Sequence, residues 1–378
     1  MTYPDDPRRA EAAAMPIDAI ADRLDLAGLR REGHELVGPC PQCGGRDRFG
    51  INLRKGLFLC RRCEARGDGI GLVMHVRGCT FPQALDWLCG PRDAPVDAAE
   101  RAARAARMAE NRRRQEARGD AARAEAIRQA QAVWRDARPA EGTPVRDYLA
   151  LRGIGRDLLP ALPPSLRFAP ALPLMVEVDG PTGRPQWRVA HRGPAMVAGI
   201  QGPDRALTGV HRTWLDLSQP KGKARVRHPV TDEPLPAKKV LGSKKGGAVR
   251  LTPPSLSGVL VMGEGIETTL TAQVAAAIDG AAYWCGVDLG NMAGRKQAGP
   301  GLRFAGLPDL ADPDAFVPPP WVNRLVYVMD GDSDPRDTRS KLEAGLRRAM
   351  ALRPGLKGQI VHAGTGRDLN DVLLEPIA

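Results

Sequence analysis

Cysteine placement constrains this chain more than any other feature of its sequence. Cys40-Pro-Gln-Cys43 and Cys60-Arg-Arg-Cys63 are two pairs in the pattern Cys-x2-Cys-x16-Cys-x2-Cys. With two residues between them, both sulfurs of a pair turn toward one ion, and two such pairs supply four thiolates to one tetrahedral zinc. The intervening residues 48–53 and 57–59 predict a small hairpin, so the module is a compact β structure held by metal. The chain has seven cysteines, an odd number, and this usage fits metal binding in a reducing compartment better than a disulfide framework. Cys79, Cys89 and Cys285 have no partner at ligand spacing and read as small buried apolar residues. His75, four residues before Cys79, offers a further ligand to a set that is already complete.

The charge of the chain is placed unevenly. Between residues 40 and 77 stand eight basic and three acidic residues, with Phe49 and Phe58 among them. That mixture suits contact with a phosphate backbone and stacking on bases, against the alternative of a zinc that only holds the module together. Between 184 and 250 there are fourteen Lys or Arg against four acidic residues, an excess of ten in a chain of net charge +11. An anionic partner follows, although charge alone does not separate nucleic acid from a membrane surface or an acidic protein. The N-terminus has no apolar core of a signal peptide, and no run of eighteen apolar residues occurs, so a cytoplasmic protein with no membrane partner is expected.

Periodicity divides the rest. Residues 16–36 read as an amphipathic helix and 70–88 as helical. Residues 98–138 carry eleven Arg against six acidic residues in an Ala-rich background, the composition of a long solvated helix or connector. Residues 139–255, rich in Pro and Gly with short apolar runs, read as β-rich. From 257 strands and helices alternate: strand 259–262, helix 267–278, strand 281–285, a Pro-rich interruption over 300–320, strand 325–329, helix 336–351 and strand 359–362. Such alternation predicts a parallel sheet with covering helices.

Two of these strands run into acids. Strand 259–262 leads to Glu264-Gly265, and strand 325–329 leads to Asp330-Gly331-Asp332-Ser333-Asp334. Ligands of an open parallel sheet collect at the carboxyl ends of its strands, so neighbouring strands would bring Glu264, Asp330 and Asp332 to one edge. Clustered carboxylates stay ionised only with a compensating cation, and oxygen ligands alone select Mg²⁺ or Mn²⁺ over zinc. Asp368 and Asp371, after the last strand, extend the set. An EF-hand is excluded, because its sixth and twelfth positions hold Pro335 and Lys341 where Gly and Glu are required. An ordinary turn is the remaining alternative.

Glu-Gly after one strand and Asp-x-Asp after a later one resembles the Toprim domain, over roughly residues 257–373. With the cysteine module in front and a basic segment between, the order resembles the primases of bacteria and phages, and more narrowly the zinc-ribbon plus Toprim proteins of phages and mobile elements. The resemblance implies Glu264 as general base or metal-associated acid, and Asp330 and Asp332 as catalytic metal ligands. Asp334 extends the motif, and Asp368 is similar to a later acidic residue of the site. The Lys-containing stretch Pro236–Ser243 resembles one that holds template and nucleotide, which nominates Lys238 and Lys239. Arg212, Lys244 and Lys245 join them as nucleic-acid or nucleotide ligands.

The implied architecture is multidomain: a zinc ribbon over 1–95, a helical connector over 96–138, an α+β basic domain over 139–256 and an α/β Toprim domain over 257–378. The implied activity is synthesis of short RNA primers on single-stranded DNA from ribonucleoside triphosphates, with one structural Zn²⁺ and catalytic Mg²⁺ or Mn²⁺. No Gly-x-x-x-x-Gly-Lys-Ser/Thr phosphate loop occurs, so a replicative helicase would act in trans. The alternatives are a metal-dependent nuclease of the Toprim type and a non-catalytic single-stranded DNA-binding protein. Neither Tyr3, Tyr148, Tyr283 nor Tyr327 stands in an evident topoisomerase setting.

Overall fold

The computed structural model describes residues 6, 8–32, 35–91, 98–180, 185–275, 278–297, 302, 304–329 and 334–362. The chain divides into two compact units, residues 1–117 with 176–188, and residues 118–175 with 189–378. Among the described residues no helix is long and apolar enough to cross a membrane.

In the first unit, helices α1 (Arg8–Ala13) and α2 (Ile17–Arg23) precede a sheet of β1 (Arg30–Glu32), β2 (Glu35–Cys40), β3 (Gly44–Asn52), β4 (Leu57–Cys60) and β5 (Arg66–Gly67). The strands pair antiparallel in sequence order. The helix expected over 16–36 is only α2. Asp25 and Gly28 take φ values of 49° and 78°, which a right-handed helix cannot accommodate, and Arg30 already pairs with Val37. The expected hairpin is β3–β4, with Phe49 opposite Cys60 and Ile51 opposite Phe58. These side chains meet Ile20, Leu72 and Leu85 in the core. The helical stretch 70–88 is two helices, α3 (Gly69–Arg77) and α4 (Phe81–Cys89). Gly78 ends α3 at φ 61°, and α4 starts with the Thr80 N–H donating to Gln83 Oε1 at 2.9 Å. Cys79 and Cys89 are half-buried rather than fully buried, while Cys285 is buried as expected.

The Arg- and Ala-rich stretch forms one long helix, α5 (Ala98–Asp136). Its described side chains are exposed as far as Glu125, where Arg114 pairs with Glu110 at 2.8 Å, and Ala130 is fully buried.

Two five-stranded sheets and a two-stranded ribbon follow along the chain. After β6 (Arg138–Pro139) and α6 (Pro144–Leu151) come β7 (Leu166–Asp179), β8 (Pro185–Gln201) and β9 (Leu207–Trp214). A two-stranded ribbon, β10 (Val226–Arg227) and β11 (Pro234–Leu235), and then β12 (Lys238–Gly242) follow. The first sheet has the order β12-β9-β8-β7-β6. The second combines β13 (Val249–Arg250), β14 (Val259–Gly263), β15 (Ala282–Cys285), β16 (Arg324–Met329) and β17 (Lys357–His362) in the order β13-β15-β14-β16-β17. β14 runs parallel to β15 and β16, and β16 parallel to β17. The alternation read from 257 onward is therefore present, with helices α7 (Ile266–Val274), α8 (Leu289–Ala293) and α9 (Pro335–Leu352).

One strand departs from the parallel plan. β13, from the basic segment, adds antiparallel to β15, with Val249 opposite Cys285. The basic segment also shares its core with the last sheet: Val145, Tyr148, Leu149, Ile200 and Leu215 pack in one cluster with Ile266, Leu270 and Cys285. Burial of this kind is what stabilises both sheets, at about 25 cal/mol per Å² of apolar surface.

Candidate functional site

The cysteine pairs converge. Cys40 ends β2 and Cys60 ends β4, and a tight turn after each brings Cys43 and Cys63 back beside them. Gly44 and Gly45 follow Cys43 at φ 65° and 95°, left-handed backbone that glycine adopts without strain, so the first turn favours glycine there. The four Sγ atoms lie within 4.8 Å of one another, with Cys40–Cys63 at 3.8 Å and Cys43–Cys60 at 3.6 Å. A tetrahedron with zinc–sulfur bonds of about 2.3 Å has edges of about 3.8 Å, so this donor set fits one zinc. Without a metal the thiols share their ionisation: burial opposes the Cys60 thiolate but the N–H groups of Cys63 and Arg62 favour it, while the neighbouring Cys60 sulfur holds Cys63 up and burial holds Cys40 up.

Two residues around the cluster differ from expectation. Phe49 and Phe58 do not present a platform for bases: they are 0% and 3% exposed and stack on the His75 ring, at centroid distances of 6.1 and 5.4 Å. The alternation of β4 turns Leu57 and Leu59 outward instead, 46% and 47% exposed. They share a groove of about 420 Å³ with Arg48, Lys55, Arg61 and Arg66. His75 places Nε2 3.3 Å from Cys40 Sγ and 3.9 Å from Cys63 Sγ.

At the second sheet, Glu264 follows the last residue of β14 directly. β14 and β16 are hydrogen-bonded neighbours with Met262 opposite Tyr327, so their carboxyl ends lie side by side. β16 ends at Met329, one residue before Asp330. Asp330, Asp332, Asp368 and Asp371 lie outside the described residues. Gly263 permits the sharp passage into α7, because a Cβ there would sit 2.7 Å from Thr269 Oγ1. The Glu264 carbonyl accepts from the Cys285 thiol at 3.2 Å. Asp334 is committed locally: its carboxylate accepts the Arg336 N–H at 3.0 Å and caps α9.

Three residues beyond Glu264, Glu267 is 4% exposed in the first turn of α7. Lys223 Nζ lies 2.9 Å from its carboxylate, Lys238 Nζ lies 3.9 Å away, and the Tyr148 hydroxyl donates a short hydrogen bond to it. Burial would raise its pKa, but the charges of Lys238 and Lys223 and the Tyr148 hydrogen bond hold it well below the usual carboxylate range. Glu267, with Glu264 adding, in turn raises Lys238. Neighbouring His211 is pushed down to about 4, by burial first and by Lys238 and Lys223 against the pull of Glu267. Sequence reading singled out neither Glu267 nor Lys223. A signal did exist, since a lone carboxylate between the apolar Ile266 and Leu270 on one helix has to find a buried cation.

The five nominated cations have different surroundings. Lys238 contacts Glu267 yet keeps 41% of its side chain exposed. Lys239 donates to the Met175 carbonyl at 2.8 Å. Arg212 is 7% exposed, stacks over Trp214 at 5.2 Å and donates to the carbonyls of Lys239 and Val240, and burial brings it down to about 10. Lys244 and Lys245 form short ion pairs with Asp288 and Asp314 while keeping two-fifths of their side chains exposed.

Comparison with known proteins bears on these regions separately. Residues 14–104 match a family model described as the CHC2 zinc finger, the zinc ribbon of DnaG, so the cysteine module is a zinc ribbon of the DnaG primase type. Residues 124–251 match a model described as a domain of unknown function (DUF7146). No curated protein matches the chain. Among solved structures, the zinc-binding and RNA polymerase domains of the Aquifex aeolicus primase are 13% identical, over 98% of this chain and 82% of that one, with a TM-score of 0.34. The DnaG primase catalytic domain bound to single-stranded DNA is 14% identical, over 67% and 75%, at 0.37. The RNA polymerase domain of Mycobacterium tuberculosis primase DnaG in complex with double-stranded DNA is 18% identical, over 66% and 75%, at 0.33.

Proposed function

We propose that this protein is a DNA primase that synthesises short RNA primers on single-stranded DNA, in the replication of a phage, plasmid or other mobile element. The observation that carries this reading is the meeting of Glu264 with the end of β16 on one sheet edge, with Lys238 within electrostatic reach of Glu264. The edge is that of a Toprim domain, and the DnaG-type zinc ribbon at residues 14–104 agrees with it.

Glu264, Asp330 and Asp332 would hold Mg²⁺ or Mn²⁺, with Asp368 contributing and Asp334 the outermost acid. Such a cation, when bound, neutralises the triphosphate and orients it for displacement. The chain's own residues do the rest. Glu264 receives the proton of the attacking 3′-hydroxyl. Lys238 stabilises negative charge on the phosphates, and Lys244 and Lys245 are exposed enough to exchange their carboxylate partners for phosphate oxygens. Lys239 and Arg212 shape the strand behind them. The groove formed by Arg48, Lys55, Arg61 and Arg66 grips the template through its phosphates, with Leu57 and Leu59 as its apolar floor. A replicative helicase acts in trans.

The test is incubation of the protein with single-stranded DNA of mixed sequence, labelled ribonucleotides and Mn²⁺. A ladder of short products is expected, lost in Asp330→Ala and Asp332→Ala while DNA binding persists. Synthesis retained in both variants would sink the reading. Metal-dependent degradation of DNA without nucleotides would replace it with a nuclease. Salt-sensitive binding with no activity under either metal would leave a binding protein.

A further inference from the structure

A nitrogen stands beside the four sulfurs of the zinc site without belonging to their cluster. His75 reaches it from α3, in the last turn before Gly78, and its ring is fixed by Phe49 and Phe58 at interplanar angles of 18° and 23°. Nε2 stands over the edge between Cys40 and Cys63, at 3.3 and 3.9 Å from their sulfurs. The 3.3 Å contact is a hydrogen-bonding distance for N–H and sulfur, the usual way an outer group holds a metal-bound thiolate. The four cysteines are not equivalent: Cys40 and Cys60 are buried, Cys43 is half-buried, and Cys63 alone is exposed. The donor most open to reagents and solvent is thus one of the two that His75 adjoins.

We propose that His75 is a reserve zinc ligand that takes the place of Cys63 when its thiolate is lost. While all four cysteines are bound, the ring carries its proton on Nε2 and donates it to Cys40. In the exchange, the Cys63 thiolate would attack an alkylating electrophile, an S–C bond forming as the electrophile's leaving group departs, and the sulfur would release the zinc. The imidazole proton moves to Nδ1 through water, and the freed Nε2 lone pair forms the fourth zinc bond. The net charge of the site falls from two negative to one negative, because a neutral imidazole replaces a thiolate. The ribbon therefore keeps its metal, with less repulsion toward any phosphate held in the adjoining basic groove.

Cobalt(II) substituted for zinc in the full chain reads the donor set directly. The wild-type protein is expected to give a four-thiolate spectrum. Cys63→Ala should still bind one cobalt tetrahedrally, with the ligand-field bands shifted to higher energy and about three-quarters of the thiolate charge-transfer intensity, as three sulfurs and one nitrogen require. Cys63→Ala/His75→Ala should bind at least tenfold more weakly and lose the tetrahedral spectrum. His75→Ala alone should keep its metal. The proposal is overturned if the double variant matches Cys63→Ala, or if His75→Ala alone loses zinc, which would make His75 a resting ligand.

A second measurement avoids any folding defect of the Cys63 variants. In a Cys79→Ser/Cys89→Ser background, one equivalent of iodoacetamide is expected to alkylate the exposed Cys63, with iodide leaving; peptide mapping verifies the site and native mass spectrometry counts the zinc that remains. Retention with His75 present and loss in His75→Ala are expected; equal loss in both proteins overturns the proposal.

Discussion

The two polar centres of this molecule are built in opposite ways. The zinc site is assembled from two short turns, Cys40–Cys43 and Cys60–Cys63, joined by one hairpin, so each sulfur is placed by backbone a few residues away. The Glu267 centre gathers Tyr148, Lys223, Lys238 and Glu267 from α6, a loop, β12 and α7, and its longest hydrogen bond in sequence spans 119 residues. A site of the first kind depends on its metal, whereas one of the second kind depends on the whole packed unit around it. The contrast also separates what a spacing rule detects from what only tertiary structure creates.

The contrast can be broken most forcefully at the zinc. Chelation should remove on the order of 10 kcal/mol of metal-binding energy from a module that has little else to order its turns, and Cys60→Ser a part of it. Amide exchange in residues 35–77 should then lose its protection, and unchanged exchange would mean that the core of Phe49, Ile51 and Phe58 suffices without metal. Next in size, Glu267→Ala leaves Lys223 facing a buried gap and should cost about 3–5 kcal/mol, measured by denaturant unfolding. A loss under 1 kcal/mol would show that the centre is solvated and not a structural unit.

Acid should act on the same centre in two steps. His211 takes up its proton near 4 when folded but near 6.5 when unfolded, so the unfolded chain binds the extra proton between those values and stability falls as pH falls through that window. The loss should reach roughly 3 kcal/mol and should be absent in His211→Gln. Glu267, whose folded pKa is depressed, contributes stability that is present above the unfolded carboxylate value and is lost as pH falls below about 4.3. The smallest effect sharpens the acid motif. Asp334→Ala should cost about 1 kcal/mol as a lost helix cap, with primer synthesis reduced less than in Asp330→Ala. Abolished synthesis at unchanged stability would move Asp334 into the metal set.

Local order was legible where local rules decide it. The cysteine spacing announced the metal site, and the alternation of strands and helices from 257 gave the elements of the last sheet within a few residues. That β14 and β16 are neighbours was the condition on which the acid edge rested, and it holds. The side of a strand was less legible. Alternation puts Phe58 opposite Leu57 and Leu59 but does not say which face is inward, and the helix with His75 settles it by covering the phenylalanines. The helix over 16–36 failed because apolar spacing there is compatible with both periods, and the positive φ at Asp25 and Gly28 breaks the tie. Glu267 escaped notice because its partners are remote in sequence, and the basic excess over 184–250, Lys238 included, was assigned to an external anionic partner and not to an internal carboxylate.

The two residues of β13 carry a practical lesson about modularity. They come from sequence that precedes the acidic sheet, yet they close its flank by pairing with β15. A fragment cut at residue 257 would strip that cover and leave Ala282-Tyr283-Trp284-Cys285, an uncharged apolar strand, as a bare edge ready to pair with a second copy. The acidic sheet is thus not a portable cassette: any transplant, truncation or recombination event that keeps it monomeric has to carry the Val249–Arg250 strip along with it.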